Sequence, residues 1–318
     1  MKNTAAGKQI YRAPRLAVQI AGVPFKNPVL TASGTFGYGL EFANLMDLNS
    51  IGGIVVKGLS MTPIQGNPPP RIYETSSGML NAIGWQNIGA AEFVAKKLPA
   101  LRNYDTNIIV NIVGFELKDY LEMARFLNDC PGIKALELNI SCPNVKKGGF
   151  HYNKDPRDAF TVTAETKKAS RHLPLWVKLS PNVTDIREFA RACQDAGADA
   201  LSVVNTFVGM AIDADKRRPR LHFLTGGLSG PAIKPIALRM VWETCQTVKI
   251  PVIGIGGIAN TEDALEFFIA GASAVQIGTA NFYQPDASQR IALGLQEYCR
   301  SHYIEDIHEI IGSLRPYE

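Results

Sequence analysis

The chain has 318 residues, of which 46% are hydrophobic and 19% are charged, and its formal net charge is +4. So small a charge does not predict binding to nucleic acid or to an anionic membrane surface. No apolar run reaches the ~18 residues of a membrane-spanning helix, and the N-terminus lacks an apolar signal core. We therefore expect a cytoplasmic protein with neither a nucleic-acid nor a membrane partner.

Eight short apolar segments recur along the chain, and each ends in small or polar residues. In order they are NPVLTASG, GGIVVKGLS, NIIVNIVG, ALELNISCPN, PLWVKLSPN, ALSVVNT, PVIGIGG and AVQIGTA. Amphipathic segments alternate with most of them, at 115–128, 156–171, 184–195, 232–247 and 261–270. Strands that are apolar on both faces and alternate with helices indicate a parallel sheet. Eight such strands predict an α/β fold of the (β/α)8 TIM-barrel type, and the first strand lacks the GxGxxG of a doubly wound sheet.

Two segments lie outside this repeat. LAVQIAGVPFKNP, before the first strand, predicts an N-terminal hairpin that closes the bottom of the barrel. The long insertion after strand 6, TFVGMAIDADKRRPRLHFLTGGLSGPAIKP, exceeds an ordinary loop, and insertions of this kind form a lid or an interface. Its basic run, residues 216–220, is equally compatible with a solvated loop. We find no linker or second domain, so residues 1–318 are predicted to form a single domain.

The cysteines and histidines do not predict a metal site. The five cysteines are odd in number, lie far apart and include no CxxC pair, which argues against disulfides, zinc and iron–sulfur clusters. The histidines are scattered without metal spacing. Four of the cysteines fall in predicted helices or at helix ends and are expected to be packing residues: Cys130, Cys193, Cys245 and Cys299.

The residues that end the strands form an unusual set. In a (β/α)8 barrel these positions converge on the face that holds the active site. The set contains four amides, two lysines and a thiol, with few carboxylates, and would suit a planar, anionic ligand. Its members are Ser33, Lys57, Gly58, Asn111, Asn139, Cys142, Asn144, Lys178, Asn205, Thr206, Gly256, Gly257, Gly278 and Thr279.

Glycines and lysines within this set suggest more specific roles. The Gly-Gly pair after strand seven and the Gly-Thr pair after strand eight leave backbone N–H groups free and let a phosphate approach, although glycine also ends strands for turn geometry alone. Lys178 and Lys57 are isolated in apolar strands, where a cation could stabilise a reduced flavin, or could simply reach to water. GMLNAIGWQNIG, residues 78–89, is predicted to be a loop that holds a carboxylate or an imide.

These motifs together resemble those of the class 1 dihydroorotate dehydrogenases, and most closely type B, the catalytic FMN subunit of the NAD-linked enzyme. LNISCPNVKKGG, GMLNAIGWQN, VVKG, VKLSPN, VVNT, GGLSGPAIKP, GIGGI and QIGTA occur in the family's order from about residue 16 onward. The resemblance implies an FMN-binding barrel that oxidises (S)-dihydroorotate to orotate in pyrimidine biosynthesis. It also implies a homodimer, and a heterotetramer with a partner subunit that carries FAD and a [2Fe-2S] cluster.

The same resemblance assigns roles to individual residues. Cys142 would be the base that removes the C5 proton while a hydride passes from C6 to flavin N5. The residues expected to bind substrate are Lys57, Asn81, Ala82, Ile83, Gly84, Trp85, Asn139, Asn144, Asn205 and Thr206. Those expected to contact FMN are Ser33, Lys57, Gly58, Asn111, Asn139, Lys178, Val204, Gly230, Gly256, Gly257, Gly278 and Thr279. Trp85 and the run GGFHYNKDP depart from the family's usual pattern, and both concern loops around the substrate.

Other interpretations stay open at this point. One is a fumarate-linked class 1A dihydroorotate dehydrogenase. Others are a dihydropyrimidine dehydrogenase-type domain, a tRNA dihydrouridine synthase-type reductase, and a flavin-binding barrel without turnover. CPNVKKGG and NAIGWQN favour the orotate interpretation. The chain has neither a cysteine cluster nor a dinucleotide fingerprint, so NAD would have to react on another chain.

Overall fold

A closed barrel of eight parallel strands forms the centre of the computed structural model, which describes residues 13–141 and 152–317. Each strand pairs with the next, and the last pairs with the first, so the predicted TIM barrel is confirmed. In chain order the strands are β1 Val29–Thr31, β2 Gly53–Leu59, β3 Asn107–Ile112, β4 Ile133–Asn139, β5 Leu175–Lys178, β6 Ala200–Val203, β7 Val252–Ile255 and β8 Ala274–Ile277.

Helices occupy the connections on the outside of the barrel, and all five predicted helices are present. α1 is built from Ala90–Glu92, the π-helical Phe93–Lys97 and Leu98–Leu101. The others are α2 Leu117–Leu127, α3 Pro156–Ala169, α4 Ile186–Asp195, α5 Lys234–Cys245, α6 Thr261–Ile269, α7 Ala280–Tyr283 and α8 Ala287–Ser301. The sequence pattern did not predict α1, in which a π-helical segment precedes Pro99, or the C-terminal α7 and α8. None of the helices in the described part of the chain is long and apolar enough to cross a membrane.

The hairpin of Val18–Ile20 and Val23–Phe25 lies at the N-terminal ends of the strands, as predicted. Asn107, which begins β3, donates its side-chain N–H to the Pro24 carbonyl at 2.8 Å. The Phe25 ring is buried and lies 6.0 Å from the ring of Trp176 on β5. Aromatic and aliphatic side chains therefore seal this end of the barrel.

Two separate connections form one antiparallel sheet over the opposite end, which we call the cover sheet. Its strands run in the order Phe207–Gly209, Gly226–Ser229, Gly78–Asn81 and Ile72–Thr75. The first two come from the insertion after β6 and the last two from the connection after β2. The prediction of a loop throughout 78–89 was therefore wrong for 78–81, because these residues pair with Gly226–Ser229. The long insertion after strand 6 is confirmed, and part of it forms this sheet.

Polar side chains interrupt the apolar filling of the barrel. Every residue of β5 to β8 is buried. The buried side chains of the strands nevertheless include seven that are polar or charged: Thr31, Asn111, Glu137, Asn139, Lys178, Ser202 and Gln276. Buried polar groups need partners to offset the loss of hydration. All of them except Thr31 share one network of hydrogen bonds and an ion pair, in which Gln276 Oε1 is left without a partner.

Candidate active site

Glu137 on β4 is the centre of the buried polar network. Its side chain is fully buried, and its carboxylate accepts hydrogen bonds at 2.7 Å from Asn111 Nδ2, Ser202 Oγ and Gln276 Nε2. These donors come from β3, β6 and β8, so the carboxylate joins strands on different sides of the barrel. Three donors around one carboxylate replace much of the hydration that burial removes.

Lys178, at the end of β5, supplies the positive charge that balances this carboxylate. The residue is only 4% exposed, and its Nζ lies 3.8 Å from Glu137 Oε1. The ammonium also donates a hydrogen bond to Ser33 Oγ at 3.1 Å, which ties it to the loop after β1. Because lysine is seldom buried without a partner, the pair explains how a cation is held at the strand ends.

The side chains of Asn111 and Asn139 lie side by side above Glu137. Asn139 Nδ2 donates to Asn111 Oδ1 at 3.4 Å, and the backbone N–H of Ser141 donates to Asn139 Oδ1 at 3.2 Å. Tyr120 donates its hydroxyl to the main-chain carbonyl of Asn139 at 3.0 Å. Gly58 faces this pair closely, since a Cβ there would lie 2.9 Å from Asn111 Oδ1.

A second group of predicted residues joins the cover sheet to the end of β6. Asn81 donates its side-chain N–H to the carbonyl of Gly227 at 3.2 Å. A Cβ on Gly227 would lie 2.2 Å from Thr206 Oγ1, so glycine permits this close approach. Thr206 N donates to Asn205 Oδ1 at 2.8 Å, and Asn205 N donates to the carbonyl of Leu179 at 3.0 Å. These contacts join Asn81, Asn205 and Thr206, three of the residues predicted to bind substrate, along the edge of the cover sheet.

The predicted substrate loop turns around Asn67. The side chain of Asn67 donates to the carbonyl of Ala82, and its backbone N–H donates to the carbonyl of Ile83, both at 2.9 Å. Gly84 has a φ of +74°, and a Cβ there would lie 2.4 Å from Asn67 Oδ1. Trp85 follows with a φ of +55°, which is uncommon for a residue other than glycine. The loop is also tied to Arg71, whose carbonyl accepts from the Ala82 N–H and whose guanidinium donates to Gln86 Oε1, both at 2.8 Å.

Lys57, near the end of β2, is half-buried. Burial lowers the pKa of its ammonium below the ordinary value, and the positive charge of Arg71 lowers this pKa further. Both effects disfavour the charged form in the absence of a ligand. An anionic group bound beside Lys57 would offset both of them.

The end of β7 supplies the turn predicted for a phosphate. Gly256 and Gly257 have φ values of +126° and +75°, conformations that favour glycine. A Cβ on Gly257 would lie 2.7 Å from the backbone nitrogen of Lys234, so the first turn of α5 lies directly against this strand end. The N-terminus of a helix offers free N–H groups and positive dipole potential to an anion. Gly278 is less constrained, since its nearest contact would be Ala32 at 3.6 Å.

Three further predicted contacts lie around the same end of the barrel. A Cβ on Gly230 would lie 2.7 Å from the Cα of Gly78, at the edge of the cover sheet. Thr279 donates its hydroxyl to Ser229 Oγ at 2.8 Å and so connects the end of β8 to that sheet. Val204 is buried directly after β6.

Cys142 and Asn144 lie outside the described residues. The chain that leads to them is described as far as Ser141, whose hydroxyl donates to the Lys178 carbonyl at 2.8 Å.

The other cysteines are free thiols with packing positions, as predicted. Burial raises the pKa of Cys193 and of Cys245 to about 12. In 13–141 and 152–317, no group of three or more His, Cys, Asp or Glu side chains is arranged to hold a metal ion.

Glu137, Ser202 and Gln276 are not among the residues predicted from the sequence. The strand ends were expected to hold few carboxylates, whereas Glu137 lies within ion-pair distance of Lys178. A signal was present, because Glu137 in ALELN is a charged residue inside an otherwise apolar strand. Lys178 shows the same feature, a charged residue inside an apolar strand, in WVKLSPN.

Comparison with known proteins agrees with this geometry. A model of the dihydroorotate dehydrogenase family matches residues 15–299. The protein named dihydroorotate dehydrogenase B (NAD(+)), catalytic subunit, from Geotalea uraniireducens (strain Rf4) is 57% identical over 301 residues, which are 95% of this chain and 98% of that relative. Proteins of the same name from Geobacter sulfurreducens and Trichlorobacter lovleyi are 58% and 56% identical over 95% of this chain and 98% and 99% of their own lengths. The chain therefore belongs to the dihydroorotate dehydrogenase family of flavin-dependent oxidoreductases.

Proposed function

We propose that this chain is the catalytic FMN subunit of an NAD-linked dihydroorotate dehydrogenase, which oxidises (S)-dihydroorotate to orotate in pyrimidine biosynthesis. The observation that carries the proposal is the buried Lys178 ammonium beside the paired amides of Asn111 and Asn139. A fixed cation next to hydrogen-bonding amides suits a planar group that gains negative charge during the reaction. The names of the relatives support both the substrate and the link to NAD.

The residues of the site fit FMN both at its flavin ring and at its phosphate. Lys178, Asn111 and Asn139 offer one cation and two amides to a flavin ring, and Ser33 holds the cation in place. Gly256 and Gly257, against the first turn of α5, offer backbone N–H groups to the phosphate. Bound FMN would supply the hydride acceptor at N5 for the hydrogen that leaves C6 of dihydroorotate.

The remaining steps belong to side chains of this chain. Cys142 is proposed to remove the C5 proton from the substrate face opposite the flavin, and a free thiol with a pKa of about 8.5 can act as this base once the loop excludes water. Lys57 is proposed to bind the substrate carboxylate, because its desolvated ammonium gains from an anionic partner. Asn81, Asn205 and Asn144 would hold the pyrimidine amides, since each side chain offers a donor and an acceptor.

The electrons are proposed to leave through a second protein. The relatives are named catalytic subunits, which supports the existence of a partner. We propose that this partner carries FAD and a [2Fe-2S] cluster and reduces NAD. The assembly would be a heterotetramer built on a homodimer of this chain.

One set of assays tests the proposal. The purified chain, loaded with FMN, should oxidise dihydroorotate with an artificial electron acceptor. NAD should serve as acceptor only when the partner subunit is added, whereas fumarate and quinone should not. Failure to oxidise dihydroorotate, or reduction of uracil or of tRNA uridine in its place, would contradict the proposal.

A further inference from the structure

The proposed reaction gives no role to Glu137, although this buried carboxylate contacts residues proposed to hold the flavin. We propose that Glu137 is a positioning residue that fixes the direction in which the side-chain amides of Asn111 and Asn139 point. The inference rests on the proposed function for the identity of the ligands that these amides meet.

The first step is the contact between Glu137 and Asn111. An ionised carboxylate can only accept hydrogen bonds, whereas an amide has one end that donates and one that accepts. Glu137 Oε1 accepts from Asn111 at 2.7 Å, so Asn111 must turn its Nδ2 toward the core. Its Oδ1 is then directed toward Asn139.

The second step carries this direction to the next residue. Because Asn111 presents an acceptor, Asn139 must present its Nδ2, and the two atoms are 3.4 Å apart. The Oδ1 of Asn139 is left to accept from the backbone N–H of Ser141 at 3.2 Å. Each group therefore donates toward Glu137, in a series that begins at the backbone N–H of Ser141, the residue that precedes Cys142.

The third step is that the Glu137 carboxylate is itself held in one orientation. Its Oε2 accepts from both Ser202 and Gln276 at 2.7 Å, and its side chain is fully buried. The Lys178 ammonium, 3.8 Å from Oε1, favours the negative charge. A carboxylate held on both oxygens is a fixed reference for the amides that depend on it.

The orientation decides what the site offers to a ligand. With these directions, Asn139 keeps a second N–H and Asn111 keeps a second lone pair on its oxygen. If both amides were reversed, Asn139 would offer only an oxygen lone pair where a donor now stands. A flavin or pyrimidine edge that pairs its acceptors with donors in one arrangement would face acceptors with those same atoms in the other.

Exchanging the carboxylate of residue 137 and the amide of residue 111 tests the inference. In Asn111→Asp, two carboxylates face each other across a 2.7 Å contact, which they cannot do while both are ionised. Adding Glu137→Gln restores a donor opposite an acceptor. The introduced glutamine donates to the introduced aspartate, keeps its oxygen for Ser202 and Gln276, and leaves an acceptor for Asn139. The four proteins form a double-mutant cycle.

The measurement is the orotate Kd of the FMN-loaded proteins, followed by the absorbance change of the oxidised flavin. Asn111→Asp should raise this Kd about tenfold or more, and the double variant should return it to within about threefold of the unsubstituted protein. If the Asn111→Asp protein is insoluble, recovery of soluble, FMN-binding protein in the double variant supports the inference. No recovery in the double variant, or an unchanged Kd in Asn111→Asp, overturns it.

Unfolding temperatures separate positioning from stability alone. If the double variant regains its unfolding temperature but not its orotate Kd, Glu137 serves only stability and the inference is wrong. Thr244→Val is the matched control, because Thr244 is buried and donates to the Met240 carbonyl at 2.8 Å within α5. It should lower the unfolding temperature without changing the orotate Kd.

Failure of the proposed function has a different signature. The unsubstituted chain would then bind neither FMN nor orotate. The inference fails alone when the unsubstituted chain binds both ligands and the double variant does not regain the orotate Kd.

Discussion

The indole ring of Trp85 packs against the phenyl ring of Phe115, with ring centroids 5.2 Å apart and ring planes at 57°. Trp85 belongs to the proposed substrate loop, whereas Phe115 lies between β3 and α2. The contact therefore fixes the substrate loop against the barrel. It also gives a structural role to Trp85, which was expected to depart from the family's usual pattern.

Replacing Trp85 by leucine should weaken substrate binding more than turnover. An aromatic pair contributes about 0.5–1.5 kcal/mol beyond its buried area, which corresponds to a rise in KM for dihydroorotate of about 2–12-fold. The kcat should stay within about twofold, since the proposed base and cation are untouched. Steady-state kinetics of Trp85→Leu test this.

Phe115→Leu is the matched partner for that experiment. It should raise KM to a similar extent, and the double variant should be no worse than either single one, because both substitutions remove the same contact. Additive effects would show that the rings act independently.

Cys142→Ala should abolish most turnover while FMN and orotate still bind, because only the proton acceptor is removed. Cys142→Ser should be slower than the unsubstituted enzyme and should recover with rising pH, since a hydroxyl is a poorer base than a thiolate at neutral pH. Anaerobic flavin reduction by dihydroorotate, followed across pH, measures both. Near-normal reduction by Cys142→Ala at pH 7 would exclude the base role.

The lowered pKa of Lys57 predicts a specific loss of anion binding at alkaline pH. As pH rises through that pKa, the ammonium loses its charge, so orotate affinity should fall before the ordinary lysine value near 10.5 is reached. Arg71→Gln removes one cause of the lowering and should move the fall to higher pH. Lys57→Arg should show no fall over the same range, because the guanidinium stays charged. An unmoved midpoint in Arg71→Gln would contradict this account.

Acid should weaken a contact between the two ends of the described chain. Burial opposes ionisation of Asp306, but hydrogen bonds from the backbone and ring of His308 and from Arg15 together lower its pKa to about 2. An unfolded aspartate has a pKa of about 3.9. Because the folded value is the lower one, the stabilisation is complete above about pH 4 and disappears as pH falls toward 2.

Asp306→Asn tests that contact. Urea unfolding should show a loss of about 1 kcal/mol at pH 6, a modest value because the Arg15 side chain is largely exposed. The difference from the unsubstituted protein should shrink between pH 4 and pH 2.5. Asp105→Asn is the control for the change of a carboxylate to an amide, since the Asp105 side chain is 90% exposed beside Lys26. If the difference in free energy of unfolding increased below pH 4, Asp306 would not be the group that titrates.

The barrel and much of the site could be predicted because their signals are local. Runs such as IVVKG and WVKLSPN show both a buried strand and the charged residue that ends it. The cover sheet gave no such signal, because its strands have three or four residues, include several glycines and pair across large separations. Gly227, for example, pairs with Asn81. The network around Glu137 was also out of reach, because its partners lie on four other strands and meet only inside the closed barrel.

The cover sheet has a consequence for the order in which the chain assembles. Its central pairing joins Gly78–Asn81 to Gly226–Ser229, and four of the eight barrel strands, β3 to β6, lie between them in sequence. Pairing segments so far apart carries a large loop-closure entropy unless the intervening chain is already compact. We therefore expect β3 to β6 to assemble before the cover sheet pairs, so that during refolding these buried strands are protected from hydrogen exchange before orotate can bind.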